Sequence, residues 1–282
     1  MPDEANETGR VVLAGHTYDV LRDWGRLPGT IPRAHVSQVA VDAKGRLHVL
    51  RRGVAPVVVF SPDGEFAFTY GEGQIFDSHG ITIDHLDRVL IADRDAHQIL
   101  VFDAEGGLQF ALGERHHPHW DAPFNHPTQA AVAPSGDILV ADGYGNARIH
   151  RFAPDGRHIM SFGAIGTGPG DFMTPHAVLV DHLDRIAVAD RENDRIQLFD
   201  QNGRWLEERT GLCRPMDMTE SKDGLLLVTD QVPSLTAFDG AGLRIGRCRP
   251  SLNGAHGIAG DEAGNFYLAE SQPSGVTKMR RI

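Results

Sequence analysis

Three histidines in the sequence are candidates for binding one metal ion. They are His79 in the segment SHG, His176 in TPH and His256 in AHG. Neutral imidazoles are common zinc ligands, and three of them with one open position form the ligand set of a catalytic zinc. This chemistry requires a fold that brings the three side chains to one point, so the elements that carry them must be identified first.

A turn-like tetrad recurs along the chain and divides it into six similar units. Each copy has the Asp, Gly or Pro chemistry of a tight turn, follows a short apolar or small-residue run and precedes a β-prone run. The copies are DAKG at 42–45, DHLD at 84–87, APSG at 133–136, DHLD at 181–184, SKDG at 221–224 and DEAG at 261–264. The pattern predicts a strand, a turn and a second strand in every unit.

A second turn follows in most units and adds two more strands. FSPDG begins at Phe60, FAPDG at Phe152 and FDQNG at Phe199. Four strands in about 40–50 residues form one blade of a β-propeller. We therefore predict an all-β chain that folds as a six-bladed β-propeller in a single domain over residues 1–282. The predicted blades are 36–71, 78–113, 126–163, 175–210, 214–247, and 255–282 plus 18–25.

The sixth unit ends after its third strand, and its missing strand is found near the N-terminus. The segment YDVLRDWG at 18–25 has the form of a fourth strand. An N-terminal strand that completes the last blade closes the ring and removes its open edges.

Alignment of the units on the tetrad places the three histidines in one column. The residue five positions before the tetrad is histidine in units two, four and six. Alternate blades of a six-bladed ring lie about 120° apart, and this column borders the central channel at the start of the innermost strand. We therefore predict that His79, His176 and His256 bind one metal ion. Zinc is expected, because calcium prefers oxygen ligands and imidazole suits zinc.

The turn between strands two and three lies on the same face as the histidine column. The residue after the acidic position of the repeat is Arg52, Arg94 or Arg191 in three units, and Tyr144 lies one residue further on in the third unit. The arginines either pair with neighbouring aspartates or hold a substrate carboxylate in a bidentate fork. The repeat acids themselves are expected to bind loop amides. The segment from His116 to His119 is expected to form a rim loop, with metal binding as the alternative.

Composition narrows the classes of partner. The formal net charge is -11, which disfavours binding to nucleic acid. We find no apolar run long enough for a membrane span or an export signal, so we expect a cytoplasmic protein without a membrane partner. The chain has two cysteines, too few for a disulfide framework, although a Cys213–Cys248 bridge stays open.

Two resemblances follow from these segments. The repeat resembles the NHL family. Blades three and four, FNHPTQAAVAPSGDILVADGYGNARIHRF and DFMTPHAVLVDHLDRIAVADRENDRIQLF, resemble the peptidyl-α-hydroxyglycine α-amidating lyase domain, a six-bladed propeller with a zinc held by three histidines. The resemblance is strongest over residues 124–200 and rests mainly on the segments FNHPT, DGYGN, TPH and ADREN.

The lyase resemblance implies roles for particular residues. The zinc ligands become His79, His176 and His256, the catalytic tyrosine becomes Tyr144, and the active-site arginines become Arg52 and Arg191. The chain also departs from the family pattern. The family has an Asp after the third ligand that helps to bind a structural calcium, whereas this chain has Gly257, so calcium is the weaker expectation. The family cysteine after DGY is Gly145 here.

The expected function is that of a zinc-dependent lyase. The resemblance implies cleavage of the C–N bond of a carbinolamide to give an amide or amine and a carbonyl product such as glyoxylate, with Tyr144 as the base. The substrate is expected to be a small or peptide-like molecule in the central channel. Two alternatives stay open: a non-enzymatic NHL-repeat scaffold that binds a protein, and a metal-dependent lactonase-type hydrolase.

Overall fold

The computed structural model describes residues 7–282, which form six antiparallel β-sheets. Five sheets have four strands and one has five. The chain is therefore all-β, with six blades arranged as a β-propeller, as the repeat predicts. The density of internal contacts divides the chain into two compact units, Gly73–Asp217 and the remainder. The prediction of one domain over residues 1–282 stays a prediction.

The chain begins with a hairpin and the first blade. The hairpin strands are β1 (Glu7–Leu13) and β2 (His16–Leu21). The strands of the first blade are β3 (His35–Val41), β4 (Leu47–Arg52), β5 (Val57–Phe60) and β6 (Phe66–Tyr70).

The next three blades lie in the unit Gly73–Asp217. Their strands are β7 (Ser78–Ile83), β8 (Val89–Asp93), β9 (Gln98–Phe102), β10 (Leu108–Leu112), β11 (Gln129–Val132), β12 (Ile138–Asp142), β13 (Arg148–Phe152), β14 (His158–Phe162), β15 (Pro175–Val180), β16 (Ile186–Asp190), β17 (Arg195–Phe199) and β18 (Trp205–Arg209). A 3₁₀ turn at Arg191–Asn193 joins β16 to β17.

The last two blades complete the chain, and the boundary between the two units falls within the first of their strands. Their strands are β19 (Pro215–Glu220), β20 (Leu226–Asp230), β21 (Leu235–Phe238), β22 (Arg244–Cys248), β23 (Ala255–Gly260), β24 (Phe266–Ser271) and β25 (Ser274–Arg281).

The tetrads form the predicted turns between the first two strands of each blade. In DHLD, Oδ1 of Asp84 accepts hydrogen bonds from the backbone N–H groups of Leu86 (2.9 Å) and Arg88 (2.8 Å), and its Oδ2 accepts from Nε of Arg88 at 2.7 Å. The fourth residue takes a positive φ, 58° at Asp87 and 88° at Gly136. Gly and Asp tolerate this left-handed conformation, which explains their place in the pattern.

The N-terminal segment closes the last blade, as predicted. The five-stranded sheet has the order β1-β2-β25-β24-β23, so β2 is the missing fourth strand. The strand covers His16–Leu21 rather than 18–25, because Asp23 and Gly25 take positive φ values of 47° and 95° and end the extended backbone. The fifth strand, β1, was not predicted.

Apolar side chains of adjacent sheets form the core. Within Gly73–Asp217, Phe124 packs with the second and third blades, and Phe172 and Phe199 pack with the third and fourth. All three rings are almost fully buried. Among the described residues, no helix is long and apolar enough to cross a membrane.

Candidate metal centre

Each predicted metal ligand is the second residue of its blade's first strand. His79 lies in β7, His176 in β15 and His256 in β23. The residues before and after each histidine pair with consecutive residues of the second strand, so each histidine is the extra residue of a β-bulge. A bulge changes the direction of a side chain relative to the regular strand. His79 and His176 are buried, and His256 is half-buried.

A glycine follows two of the histidines because the backbone packs closely there. A β-carbon at Gly80 would lie 2.4 Å from the carbonyl oxygen of Thr128, and one at Gly257 would lie 3.1 Å from Cα of Gln38. The SHG and AHG segments therefore reflect the close approach of each histidine strand to the blade beside it.

The Nδ1 atom of each histidine is fixed by a carbonyl group. The Nδ1–H groups donate to the backbone oxygens of Thr128 (2.8 Å, from His79), Met216 (2.6 Å, from His176) and Ser37 (2.8 Å, from His256). A carbonyl oxygen only accepts, so these contacts set the neutral tautomer with its proton on Nδ1 and a lone pair on Nε2. The three acceptors occupy the histidine column in the units that have no histidine there.

Within the unit Gly73–Asp217, His79 and His176 form part of a group that could hold a metal ion. Each of these two side chains offers one ring nitrogen, and the two atoms lie within 4.8 Å of each other. His256 belongs to the other unit, and its place in the site stays a prediction. Imidazole nitrogens with their second nitrogen hydrogen-bonded to a carbonyl are typical of zinc ligands in proteins.

Tyr144 lies in the turn between β12 and β13 and points at two of these imidazoles. Its hydroxyl oxygen is 3.0 Å from Nε2 of His79 and 3.2 Å from Nε2 of His176. The preceding residue is Gly143, where a β-carbon would lie 2.0 Å from the carbonyl oxygen of Pro175. Glycine at this position lets the Tyr144 turn pack against the start of β15.

The chemistry of the donor set bears on the fit of a cation. In the neutral tautomers set by the Nδ1 contacts, Nε2 of His79 and Nε2 of His176 each carry a lone pair. Neutral imidazole nitrogens are common ligands of transition-metal ions, zinc among them. The residues therefore suit a metal ion of this class.

Two arginines contact the Tyr144 ring. Nη1 of Arg191 donates to the Tyr144 hydroxyl at 3.1 Å, and its Cζ lies 5.3 Å from the ring centroid. Cζ of Arg94 lies 5.6 Å from the same centroid. Both guanidinium groups thus place positive charge beside the Tyr144 ring.

Acidic side chains hold both arginines in place. Nε of Arg191 donates to Glu192 at 2.9 Å. Arg94 donates to Asp95 at 2.8 Å and pairs with Asp77 at 2.8 Å. Burial alone would lower the pKa of Arg94, but the hydrogen bond to Asp95 and the charge of Asp77 raise it above the usual value, so this guanidinium stays charged.

The structure brings together part of the predicted site. His79, His176, Tyr144 and Arg191 lie in the unit Gly73–Asp217 and contact one another. Arg52 is exposed at the end of β4 in the other unit, and its role stays a prediction.

The sequence did not predict that Arg94 lies beside Tyr144, although Arg94 is in the same rim column as Arg52 and Arg191. Membership of this column was the one signal in the sequence that pointed to Arg94. Arg94 pairs with Asp77, as the first interpretation of the rim arginines expects, and it also lies beside the Tyr144 ring, while binding of a substrate carboxylate stays a prediction.

Other candidate residues have structural roles. Asp93 accepts hydrogen bonds from the backbone N–H groups of Phe76 (2.9 Å) and Asp77 (2.6 Å), as expected for a repeat acid. His116 stacks edge-on against Phe76, with ring centroids 4.9 Å apart. Cys213 and Cys248 are both free, so the alternative of a bridge between them is wrong.

Comparison with known proteins gives relatives of two kinds. The chain is 34% identical over 207 residues to the peptidylglycine alpha-amidating monooxygenase of Rattus norvegicus, which covers 61% of this chain and 21% of that protein. It is 28% identical over 245 residues to a probable peptidyl-alpha-hydroxyglycine alpha-amidating lyase of Caenorhabditis elegans, and this match covers 80% of this chain and 70% of that protein. It is 33% identical over 186 residues to NHL repeat-containing protein 3 of Homo sapiens, and this match covers 60% of this chain and 53% of that protein. The chain thus matches about a fifth of the rat protein's length.

Solved structures and a family model agree on the fold. A family described as a 6-bladed beta-propeller matches residues 121–229. A streptogramin B lyase superposes with a TM-score of 0.70 at 14% identity, covering 94% of this chain and 98% of that chain. A gluconolactonase from Xanthomonas campestris superposes with a TM-score of 0.72 at 16% identity, covering 94% and 90%. The chain is therefore a six-bladed β-propeller that is similar in sequence to peptidyl-α-hydroxyglycine α-amidating lyases and to an NHL repeat-containing protein.

Proposed function

We propose that the protein is a metal-dependent lyase that cleaves the C–N bond of an N-acyl α-hydroxyglycine. The hydroxyl proton leaves the substrate, the carbon–oxygen bond becomes a carbonyl, and the electrons of the C–N bond go to the nitrogen. The nitrogen then takes up a proton, so the products are a primary amide and glyoxylate. One observation carries the proposal: the Tyr144 hydroxyl lies 3.0 Å and 3.2 Å from the Nε2 atoms of His79 and His176.

Tyr144 is the proposed acid–base group. In its ionised form it accepts the substrate hydroxyl proton, and it then returns that proton to the departing nitrogen. Arg191 donates a hydrogen bond to the same oxygen at 3.1 Å, which stabilises the negative charge between the two transfers. Arg94 adds a second positive charge beside the ring.

A second role is proposed for the rim arginines, in which one of them binds the substrate carboxylate. The Arg191 guanidinium already contacts Tyr144 and Glu192, so we assign to it the stabilisation of the tyrosine oxygen. Arg52 is the proposed partner of the carboxylate, as the resemblance implies.

The proposed metal ligands are His79, His176 and His256 through their Nε2 atoms. When bound, a zinc ion would supply Lewis-acid stabilisation of negative charge on the substrate. Similarity to the C. elegans protein over 80% of this chain supports the same assignment. The lactonase alternative has less support, because imidazole nitrogens suit calcium poorly.

The test is release of glyoxylate from N-benzoyl-α-hydroxyglycine by the zinc-loaded protein. We expect turnover by the wild type and a loss of at least about a hundredfold in Tyr144→Phe, because general acid–base groups contribute on that order. Metal content should be unchanged in this variant. Tyr267→Phe is the matched control, since its hydroxyl bonds Asp261 at a tetrad turn.

Two outcomes would contradict the proposal. No glyoxylate from the metal-loaded wild type would reject the lyase and favour the scaffold alternative, for which the similarity to NHL repeat-containing protein 3 is the support. Full turnover by Tyr144→Phe would remove the tyrosine from the mechanism.

A further inference from the structure

Two large aromatic side chains are exposed on adjoining loops of the unit Gly73–Asp217. Phe76 precedes β7 and is 63% exposed, and Trp120 lies between β10 and β11 and is 71% exposed. Large aromatic side chains bury much of their surface in most folded proteins, and those left on a surface often mark a binding site.

The loop that carries Trp120 is held firmly on both sides of this residue. The Asn146 side chain donates to the backbone oxygens of His119 (2.9 Å) and Ala122 (3.0 Å), and its Oδ1 accepts from the N–H of Asp121 at 3.2 Å. Trp120 is therefore exposed on an ordered backbone, and an ordered backbone lowers the entropic cost of binding.

The loop is also anchored at its C-terminal end. The Phe124 ring is completely buried in the core of the second and third blades. Asn125 packs over Gly145, where a β-carbon would lie 2.5 Å from the Asn125 carbonyl oxygen. The backbone N–H of Tyr144 contacts the carbonyl oxygen of His126 at 3.4 Å.

The two loops are joined to each other. The His116 ring stacks edge-on against Phe76 with centroids 4.9 Å apart. Nη1 of Arg115 donates to the carbonyl oxygen of Gln74 at 2.9 Å. We call Phe76, His116 and Trp120 the aromatic rim.

The aromatic rim is linked to Tyr144 through both loops. Asn146, which holds the Trp120 loop, belongs to the same turn as Tyr144 and is two residues away. On the Phe76 side, Asp77 pairs with Arg94, whose guanidinium lies 5.6 Å from the Tyr144 ring centroid.

We propose that the aromatic rim binds the acyl group on the nitrogen side of the substrate, and that this group is aromatic or large and apolar. The inference depends on the proposed function, because it takes Tyr144 as the reacting centre. The acyl group is bonded to the nitrogen, on the other side of the reacting carbon from the carboxylate, so the loops that surround Tyr144 are available to bind it. An aromatic or large apolar acyl group gains from contact with Trp120 and Phe76, whereas a short acetyl group offers little surface for such contact.

The test uses two analogues that lack the hydroxyl group and are therefore not cleaved, N-benzoylglycine and N-acetylglycine. Calorimetry would measure their binding to the zinc-supplemented wild type, Trp120→Ala and Trp120→Phe. Leu108→Ala is the matched control, because Leu108 is 42% exposed on the outer strand β10.

We expect the wild type and Leu108→Ala to prefer the benzoyl analogue by roughly tenfold, as one aromatic contact commonly provides. Trp120→Ala should lower this preference to within about twofold by weakening only the benzoyl analogue, and Trp120→Phe should retain most of it.

Three results would overturn the inference: an unchanged preference in Trp120→Ala, equal weakening of both analogues, or no binding of either analogue to the wild type. Equal weakening would indicate that Trp120 only supports the loop. Failure of the proposed function gives a different result, since a Trp120-dependent preference without glyoxylate release would retain the aromatic rim and reject the lyase.

Discussion

The histidines of this chain make two kinds of contact. The two kinds differ in which groups the two ring nitrogens contact. His48 is fully buried, with Nδ1 at 2.9 Å from the Tyr70 hydroxyl and Nε2 at 3.3 Å from Asp42. Such a ring joins strands of one blade. His79 and His176 instead bond a carbonyl through Nδ1 and direct Nε2 toward Tyr144. The second arrangement leaves a nitrogen lone pair for chemistry.

The Asp42 carboxylate should make stability depend on pH in acid. Burial alone would raise its pKa, but hydrogen bonds from His48 and Arg46 more than offset this and lower the pKa to about 2. The carboxylate contributes its full stabilisation at pH values above the pKa of the unfolded state, which is near 4, and this contribution is lost as the pH falls through the folded-state pKa of about 2. The full contribution is roughly 2 kcal/mol.

Urea denaturation at pH 5 and pH 3 measures this contribution. From pH 5 to pH 3, Asp42→Asn should lose about 1 kcal/mol less of its free energy of unfolding than the wild type. The control is Asp63→Asn, an exposed position in a similar turn, which should follow the wild type. If Asp42→Asn lost as much free energy of unfolding between pH 5 and pH 3 as the wild type, the Asp42 carboxylate would not be the source of the pH dependence.

The sequence identifies the histidine column but not the neighbours of the histidines. The tetrad fixes the alignment of the blades, so the column with His79, His176 and His256 follows from the sequence alone. The contact of Arg94 with Tyr144 depends on how each turn bends and on its pairing with Asp77. Such pairings between loops leave no periodic signal in one sequence.

The loop between β10 and β11 is the element that supports the Tyr144 turn. Its histidines resembled a metal-binding segment, but within this loop His119 pairs with Glu114 at 3.3 Å and uses its backbone oxygen to bind Asn146. The DGYGN segment therefore contains both the proposed acid–base residue Tyr144 and, two residues later, the amide that holds the loop.

Replacement of Asn146 should loosen this loop. The side chain is buried and also donates to Asp142 at 2.7 Å, so Asn146→Ala leaves several buried polar groups unsatisfied. We expect Asn146→Ala to lower the free energy of unfolding by about 1–3 kcal/mol. Because Arg115 lies in the loosened loop, trypsin should cleave after Arg115 faster in this variant than in the wild type.

Urea denaturation and limited proteolysis would measure both effects, with the exposed Asn202→Ala as the control. Wild-type stability together with wild-type cleavage in Asn146→Ala would contradict the support that we assign to this side chain.

The N-terminal segment of the chain holds the last blade closed through strand β2. Strand β2 pairs with β25 and buries Val20 and Leu21. The chain ends of this blade are thus joined by hydrogen bonds between distant segments, which removes an open edge.

Truncation of a buried side chain in β2 should therefore be costly. Leu21 is completely buried, so Leu21→Ala is expected to lower the free energy of unfolding by about 2–5 kcal/mol. Val12 on β1 is 61% exposed, and Val12→Ala should change the free energy of unfolding by less than about 0.5 kcal/mol. Urea denaturation at neutral pH measures the free energy of unfolding of both variants. Equal losses in Leu21→Ala and Val12→Ala would contradict a special role for β2.

The repeat predicts six blades and the N-terminal closure but misses β1. Leu13 pairs with His16 across the two-residue turn Ala14–Gly15, whose φ values are 49° and 82°. Both residues take the left-handed region, as in a type I′ hairpin. Alanine is an uncommon residue there, so the sequence carries a weak turn signal, and β1 has no counterpart in the other blades.

We propose that His79, His176 and His256 hold one metal ion, and the metal content of the purified protein tests this proposal. After incubation with zinc at neutral pH and removal of the excess, we expect about one zinc per chain in the wild type. The exposed His117→Ala should match the wild type, and His176→Ala should lose the metal. A wild type without bound metal, or a His176→Ala variant that keeps it, would reject the histidine site.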